Sequence, residues 1–241
     1  MIELEAVNKK FGRLQALDNV DIILESGKYY ALVGPNGSGK TTLIKTILGM
    51  VIPSSGEIQV DGKSIRNDWK YREKIGYMPQ IGHFPENMRI GQLMDMMKNI
   101  RHKNHDINED LLEAFHLKNI YDKRLHAMSG GTRQKVSAAL AFMFNPSVFI
   151  LDEPTAGLDP VSVEILKEKI KLERTAGKLF IISSHILSDL EELSSDIVYI
   201  FEGKIQYHNS LDHLKTQTGE TRLSRAIANM IVEKKLKVTQ R

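Results

Sequence analysis

Gly34-Pro35-Asn36-Gly37-Ser38-Gly39-Lys40-Thr41-Thr42 constrains this chain more than any other stretch. It fills every fixed position of the phosphate-loop pattern G-x-x-x-x-G-K-[ST]. The apolar, aromatic run Tyr29-Tyr30-Ala31-Leu32-Val33 before it reads as a buried strand. Lys40 to Leu48 reads as a helix with Leu43, Ile44, Ile47 and Leu48 on one face, stopped by Gly49. Glycines let consecutive backbone N–H groups curl inward toward a polyphosphate, and the helix adds the positive end of its dipole. Lys40 has the reach for β- and γ-phosphates. The Thr41 hydroxyl suits Mg²⁺, which prefers oxygen ligands. A plain glycine-rich turn is the competing reading, and the flanking strand and helix count against it.

The 241 residues suffice for one large domain, or one domain and a subdomain. Apolar content of 41% and charged content of 26% are those of an ordinary globular chain. A net charge of +3 carries no nucleic-acid footprint. Without cysteine there are no disulfides and no thiolate metal sites. Met1 to Glu5 lacks the basic and apolar regions of a signal peptide. The longest apolar run, Ala138 to Phe144, is too short to cross a bilayer. A role at a membrane therefore implies another chain that holds this one there.

Along the chain, residues 1–33 read as strands joined by turns, with Ile2, Leu4 and Ala6 alternating against polar neighbours and a second strand at Val20 to Leu24. Glu57 to Val60 reads as a strand before the hairpin turn Asp61-Gly62. Ile75 to Gln80 is a short strand entering a loop. From about Pro85 to Met128 strand signals vanish; Ile90 to Ile100 and Glu109 to Phe115 read as helices, separated by the polar stretch Arg101 to Asp106. Gly130 to Phe144 is a further helix with Val136, Ala139, Leu140 and Met143 on one face. The α/β pattern then returns: strands at Val148 to Leu151 and Leu179 to Ile182, a helix at Val161 to Leu172, and a hairpin around Glu202-Gly203. A basic helical tail follows from about Thr221.

Other stretches carry chemistry. Val148 to Leu151 ends in Asp152-Glu153, which places Asp152 to hold Mg²⁺ through its water shell and Glu153 to orient and activate an attacking water. Two acids capping the next helix are the alternative. Asp159-Pro160 reads as a helix N-cap and first-turn pair. Met128-Ser129-Gly130-Gly131-Thr132 opens a helix with two glycines and a hydroxyl, an anion-binding geometry or a plain capped start. His185 lies just past a buried strand, where a lone histidine is more often structural.

In this order the stretches resemble the ATP-binding subunit of an ATP-binding cassette (ABC) transporter, over nearly all of residues 1–215. The resemblance implies a P-loop NTPase of ABC-ATPase fold: an α/β, RecA-like core with an antiparallel β-subdomain and an inserted α-helical subdomain. The core would be 1–84 and 129–215, the helical insertion 85–128, and the basic tail 216–241. By analogy Gly34, Pro35, Asn36, Gly37, Ser38, Gly39, Lys40, Thr41 and Thr42 are Walker A. Phe11 stacks on adenine, where the family more often has Tyr. Gln80 touches Mg²⁺ and the water and senses the membrane partner. Ser129, Gly130 and Gly131 are the family signature, closing on the γ-phosphate held by a second copy. Asp152 and Glu153 are Walker B and the catalytic base, Ala156 to Asp159 the D-loop, and His185 the switch histidine. The common signature begins with Leu and ends with Gln; here Met128 and Thr132 stand there. Met for Leu conserves volume, whereas Thr132 keeps a hydroxyl and loses reach.

The expected protein is thus an ATPase using ATP and Mg²⁺, cytoplasmic and held at the inner face of the cell membrane by a separate permease. The resemblance also implies a homodimer, or a heterodimer with a related ATPase, with no nucleic-acid partner and no span of its own. Export is favoured, because the tail is too short for the regulatory domain of many importer ATPases. A soluble cassette ATPase in translation or DNA maintenance is the alternative, and this chain lacks both the long coiled-coil insertion and the second cassette of those classes. A P-loop kinase leaves the signature, Gln80 and His185 unexplained. The chain also looks somewhat like the ATPases of copper-processing exporters of nitrous-oxide reductase maturation. Five of its eight histidines fall between His83 and His126, near Met88, Met94, Met96 and Met97, which raises copper or zinc binding. Leu93, Met94 and Met97 share a helical face, so packing is the stronger reading.

Overall fold

The computed structural model describes residues 1–102 and 107–239, with side chains as far as 232. The elements run β1 (Ile2–Phe11), β2 (Leu14–Leu24), β3 (Tyr29–Val33), α1 (Lys40–Ile47), β4 (Ser55–Val60), β5 (Lys63–Ser64) and β6 (Ile75–Met78). Next come α2 (Ile90–Ile100), α3 (Asp110–Ala114), α4 (Gly130–Phe142), β7 (Val148–Asp152), α5 (Pro160–Thr175) and β8 (Leu179–Ser183). The chain closes with α6 (Leu187–Leu193), β9 (Asp196–Phe201), β10 (Lys204–Ser210), α7 (Leu211–Thr218) and α8 (Leu223–Thr239). They form two compact units: one of Met1–Leu24, Lys28–Gly62 and Ile181–Arg241, the other of Glu25–Gly27 and Lys63–Phe180.

In the first unit β1 pairs antiparallel with both β2 and β4. The alternation expected through Ile2, Leu4 and Ala6 breaks at its third member. Ala6 takes φ 46° and is exposed, the register shifts between Leu4 and Val7, and Val7 is the residue fully buried. The extra residue of a bulge displaces the inward set by one position. β2 also begins earlier than Val20, because Leu17 is as deeply buried as Val20. β3 runs parallel to β9, with Tyr30 opposite Asp196 and Val33 opposite Tyr199, and β9 turns back antiparallel into β10. The five residues of β3 are all buried, as the continuous apolar run requires. Asp61 (φ 51°) and Gly62 (φ 73°) supply the left-handed pair of a tight hairpin turn.

In the second unit β6 pairs parallel with β7, Ile75 opposite Val148 and Met78 opposite Leu151. Phe149 stands at its centre, 4.4 Å from the ring of Phe142 and stacked at 4.5 Å on Phe180. Offset aromatic contacts of this kind add to the apolar area they bury. Helix α2 spans the expected Ile90–Ile100 and buries Leu93 and Met94, while Met97 is half-buried. Between 85 and 128 the described residues form helices and short 3₁₀ turns. An ion network ties α3 to α5: buried Lys169 donates to Asp110 at 2.6 Å and to Glu173 at 2.8 Å, and Glu173 also pairs with Lys178.

Candidate functional site

The phosphate-loop sequence folds as expected in the first unit. β3 enters it, and α1 leaves it with left-handed Gly39 (φ 111°) as the N-cap. No side chain caps α1, and its first turn holds no acid, so its N-terminal donors keep their affinity for an anion. A Cβ at Gly34 would run into the carbonyl of Ile200 and lie 2.6 Å from Ser38 Oγ. At Gly39 it would lie 2.6 Å from the carbonyl of Ala16. Gly34 and Gly39 are therefore forced by backbone approaching from behind the loop. The β9–β10 turn braces it further, since Gly203 N–H donates to the Ser38 carbonyl at 2.9 Å. Lys40 Nζ donates to the carbonyls of Gly34 (2.6 Å) and Pro35 (3.0 Å), which brings its charge into the curve.

Ser38 Oγ is buried and has no protein hydrogen-bond partner. A buried hydroxyl left unmatched costs roughly 1–3 kcal/mol, so it fits a loop built for an acceptor-rich ligand. Asn36, Gly37 and Thr41 are exposed, and Thr42 is half-buried. Phe11 ends β1 with 49% of its surface exposed, and Lys9 Nζ sits 4.9 Å from its ring centroid. His185, two residues past β8, is exposed.

The second unit carries the carboxylates. Asp152 is the buried last residue of β7, and Tyr77 stands on the neighbouring strand β6. Burial, then the nearby Asp152 charge, pushes the Tyr77 hydroxyl up to about 12. Glu153 follows with φ 53°, a left-handed backbone that a non-glycine residue adopts at a cost of about 1–2 kcal/mol. Such strain at a chain's chemical centre points to function. Gln80, two residues past β6, is exposed.

At the start of α4, Ser129 is the N-cap. Its Oγ accepts from Thr132 N at 3.2 Å and lies 2.9 Å from the Thr132 hydroxyl. Thr132, in the place of the usual Gln, is thus spent on a local contact. Ser129 and Gly130 remain exposed, and Met128 is buried as a leucine would be. Asp159 caps α5 as its sequence implied, accepting from Ser162 N at 3.0 Å, with Pro160 in the first turn. Its carboxylate also accepts from Ser162 Oγ (2.7 Å) and Lys135 Nζ (2.7 Å). Lys135 first, then Ser162, holds it well below the ordinary carboxylate range.

Three contributors escaped the sequence reading. Gly203 braces the phosphate loop from 165 residues away, so no local pattern pairs it with Ser38. Tyr77 reads as an ordinary strand aromatic. Gln134 is buried at 4% exposure and donates to the Glu153 carbonyl at 3.4 Å. Its signal was available: a polar residue on the face of α4 that also buries Ser137 and Ala138. Among the described residues no group of three or more His, Asp or Glu could hold a metal ion. His102 is exposed, and His105 lies outside the described residues.

Comparison with known proteins places this arrangement. The ABC transporter family profile matches residues 17–156. The chain belongs to the ABC transporter family, as one of its ATP-binding, ATP-hydrolysing cassettes. It is 34% identical, over 88% of its length and 92% of the relative's, to a lantibiotic transport ATP-binding protein of Streptococcus pyogenes. It is 32% identical to a bacitracin transport ATP-binding protein of Bacillus licheniformis, over 89% of this chain and 71% of that one. A Nod factor export ATP-binding protein of Burkholderia lata is 30% identical, over 84% and 68%. Among solved structures, an ATP-binding subunit of an ABC transporter superposes with a TM-score of 0.89 at 25% identity, covering 96% of this chain and 99% of that one. A cassette solved as a dimer with ADP and Pi has the same fold, with a TM-score of 0.78 at 24% identity over 88% and 99%. These transport relatives disfavour the alternative of a soluble ATPase acting on DNA or ribosomes, and they lend nothing to the copper-processing resemblance.

Proposed function

We propose that this chain energises an exporter: a pair of cassettes binds and hydrolyses ATP at the inner face of a membrane and drives a separate permease. Among the described residues no helix is long and apolar enough to cross a membrane, which suits a partner-held subunit. The Nod factor relative is named for export and the lantibiotic and bacitracin relatives for transport, and the first of these supports the direction. The domain division read from the sequence belongs to this proposal: a core of 1–84 and 129–215, a helical subdomain of 85–128 that meets the permease, and a tail from 216.

The site roles combine the chemistry of these residues with what the family resemblance implies. In the first unit the backbone N–H groups of Gly34 to Thr42 and Lys40 hold the phosphates, Phe11 supports the base, and the Thr41 hydroxyl is an oxygen offered to Mg²⁺. In the second unit Asp152 and Gln80 are the metal-side oxygens, and Glu153 accepts the proton of the attacking water. Mg²⁺, when bound, offsets charge building on the phosphate oxygens. His185 takes the place of the family's switch histidine. Ser129, Gly130 and Gly131, with the D-loop at Asp159, face the nucleotide on the partner copy, so each site needs two chains.

The observation that carries the phosphate assignment is the loop itself: an uncapped helix start, glycines shaped by backbone, and the unmatched Ser38 hydroxyl. Lys40→Ala tests it, because it removes the charge facing the β- and γ-phosphates. ATP hydrolysis by the purified chain should fall at least about 10²-fold. Hydrolysis at the wild-type rate would refute the assignment.

A further inference from the structure

One face of α4 meets the segment after β7 at three points. Gly131 approaches so closely that a Cβ there would lie 2.8 Å from the Gly157 carbonyl. Gln134 Nε2 donates to the Glu153 carbonyl at 3.4 Å. Lys135 Nζ reaches Asp159 Oδ2 at 2.7 Å, with its stem beside the Phe115 ring. Positions i, i+3 and i+4 share a helical face, so one rigid helix touches the beginning, middle and end of residues 153–159. Within the segment, Ala156 N donates to the Glu153 carbonyl (3.1 Å) and Leu158 N to the Thr155 carbonyl (3.3 Å).

The contact from Gln134 falls where backbone conformation matters most. Glu153 sits at φ 53°, and return to an ordinary φ would swing both its carbonyl and its side chain. A donor fixed on the carbonyl opposes that return. Gln134 is suited to the task because it is buried, and an amide that left the Glu153 carbonyl would give up a hydrogen bond in a place with little water. Lys135 fixes the far end through Asp159, and Gly131 admits the middle.

We infer that Gln134 is a positioning residue for Glu153: from the signature helix it holds the left-handed backbone that aims the carboxylate. The inference rests on the proposal that Glu153 is the general base. It also gives α4 a second task, since the helix that presents Ser129 and Gly131 to a partner copy sets the base of its own chain.

The test is a double-mutant cycle on ATP hydrolysis by the full chain, with nucleotide affinity and melting temperature measured alongside. Gln134→Met keeps the volume and loses the donor. It should lower kcat about tenfold, the scale of one lost positioning contact, with KM, ATP affinity and melting temperature unchanged. Gln134→Asn keeps the amide but is one methylene short, and should lose a similar factor. In the Glu153→Gln background, Gln134→Met should have no further effect, because there is no base left to aim. Wild-type kcat in both Gln134 variants would overturn the inference. So would an equal fall of kcat, affinity and melting temperature, the mark of a merely structural residue. A tenfold loss that persists in the Glu153→Gln background would overturn it while leaving Glu153 as the base. Wild-type hydrolysis by Glu153→Gln alone would instead remove the base assignment, and this inference with it.

Discussion

Replacing Gly34 by alanine adds one methyl group where the chain has no room. The new Cβ would overlap the Ile200 carbonyl oxygen and press within 2.6 Å of Ser38 Oγ. The serine side chain can rotate, but the carbonyl cannot retreat cheaply. Ile200 lies inside β9, opposite Ile205 of β10, so moving its backbone disturbs the ladder. Overpacking a rigid site costs about 1–3 kcal/mol, and backbone overlap belongs at the upper end. For a chain of this size that is a fall in melting temperature of roughly 6–12 °C. The alternative relief is for the loop to move, which misaligns the N–H groups that hold phosphate. Two controls separate the effects. Gly37 has φ +78° with open space around its Cβ, so alanine there costs backbone strain alone, about 1 kcal/mol. Gly130 has neither a left-handed φ nor a close neighbour, so alanine there should leave stability nearly unchanged. Thermal melts with fluorescent-nucleotide titration check the series. The order of destabilisation should be Gly34→Ala, then Gly37→Ala, then Gly130→Ala, with ATP affinity falling at least about tenfold in the first. A Gly34→Ala protein that melted and bound ATP like the wild type would show that the close approach of β9 does not shape the loop.

Two further outcomes are expected. Gln80→Ala should lower permease-stimulated hydrolysis more than basal hydrolysis, measured in reconstituted membranes, and equal losses would leave Gln80 without a transmitting role. Burial pushes the Glu173 carboxyl up, but hydrogen bonds from Lys169 and Lys178 outweigh it and hold the group below its ordinary value. A carboxyl lowered by folding stabilises the fold above its unfolded pKa, about 4.3, and that contribution is lost as the pH falls through the folded value. Melting temperature should therefore drop on acidification from about pH 5, and Glu173→Gln should show a shallower drop; an unchanged slope would contradict the pairing.

The phosphate loop was legible because its chemistry is local. Strand, glycines, lysine and helix are consecutive, and the period of the apolar residues gave α1 and α2 within a residue or so of their bounds. Asp159 was legible as a cap for the same reason. What escaped was non-local or too short to show a period. The bulge at Ala6 depends on pairing with two strands at once. Helix α6 has seven residues and α7 eight, too few for an amphipathic pattern to stand out, and both merged into their surroundings. Glu153 was legible as the residue beside Asp152 at the end of the β7 run, yet its left-handed backbone could not be read, because nothing in Asp152-Glu153-Pro154 demands it. The hydrogen bond from Gln134 shows the same limit: the helix face was visible in the sequence, but what it faced was not.

The central claim is that two copies share each ATP site, and Glu153→Gln tests it most directly. The substitution keeps size and hydrogen bonding but removes the charge and the base, so hydrolysis should fall about 10²-fold or more while ATP binding survives. If Ser129 and Gly131 of one copy close on the phosphate held by the other, blocked hydrolysis should trap the closed pair. Sedimentation velocity should find Glu153→Gln with ATP as a dimer and wild type with ADP as mainly a monomer. Adding Ser129→Arg should abolish the dimer, because a bulky side chain would occupy the exposed turn at the start of α4. A dimer indifferent to nucleotide, or one that survived Ser129→Arg, would contradict the shared site and leave the phosphate loop standing alone.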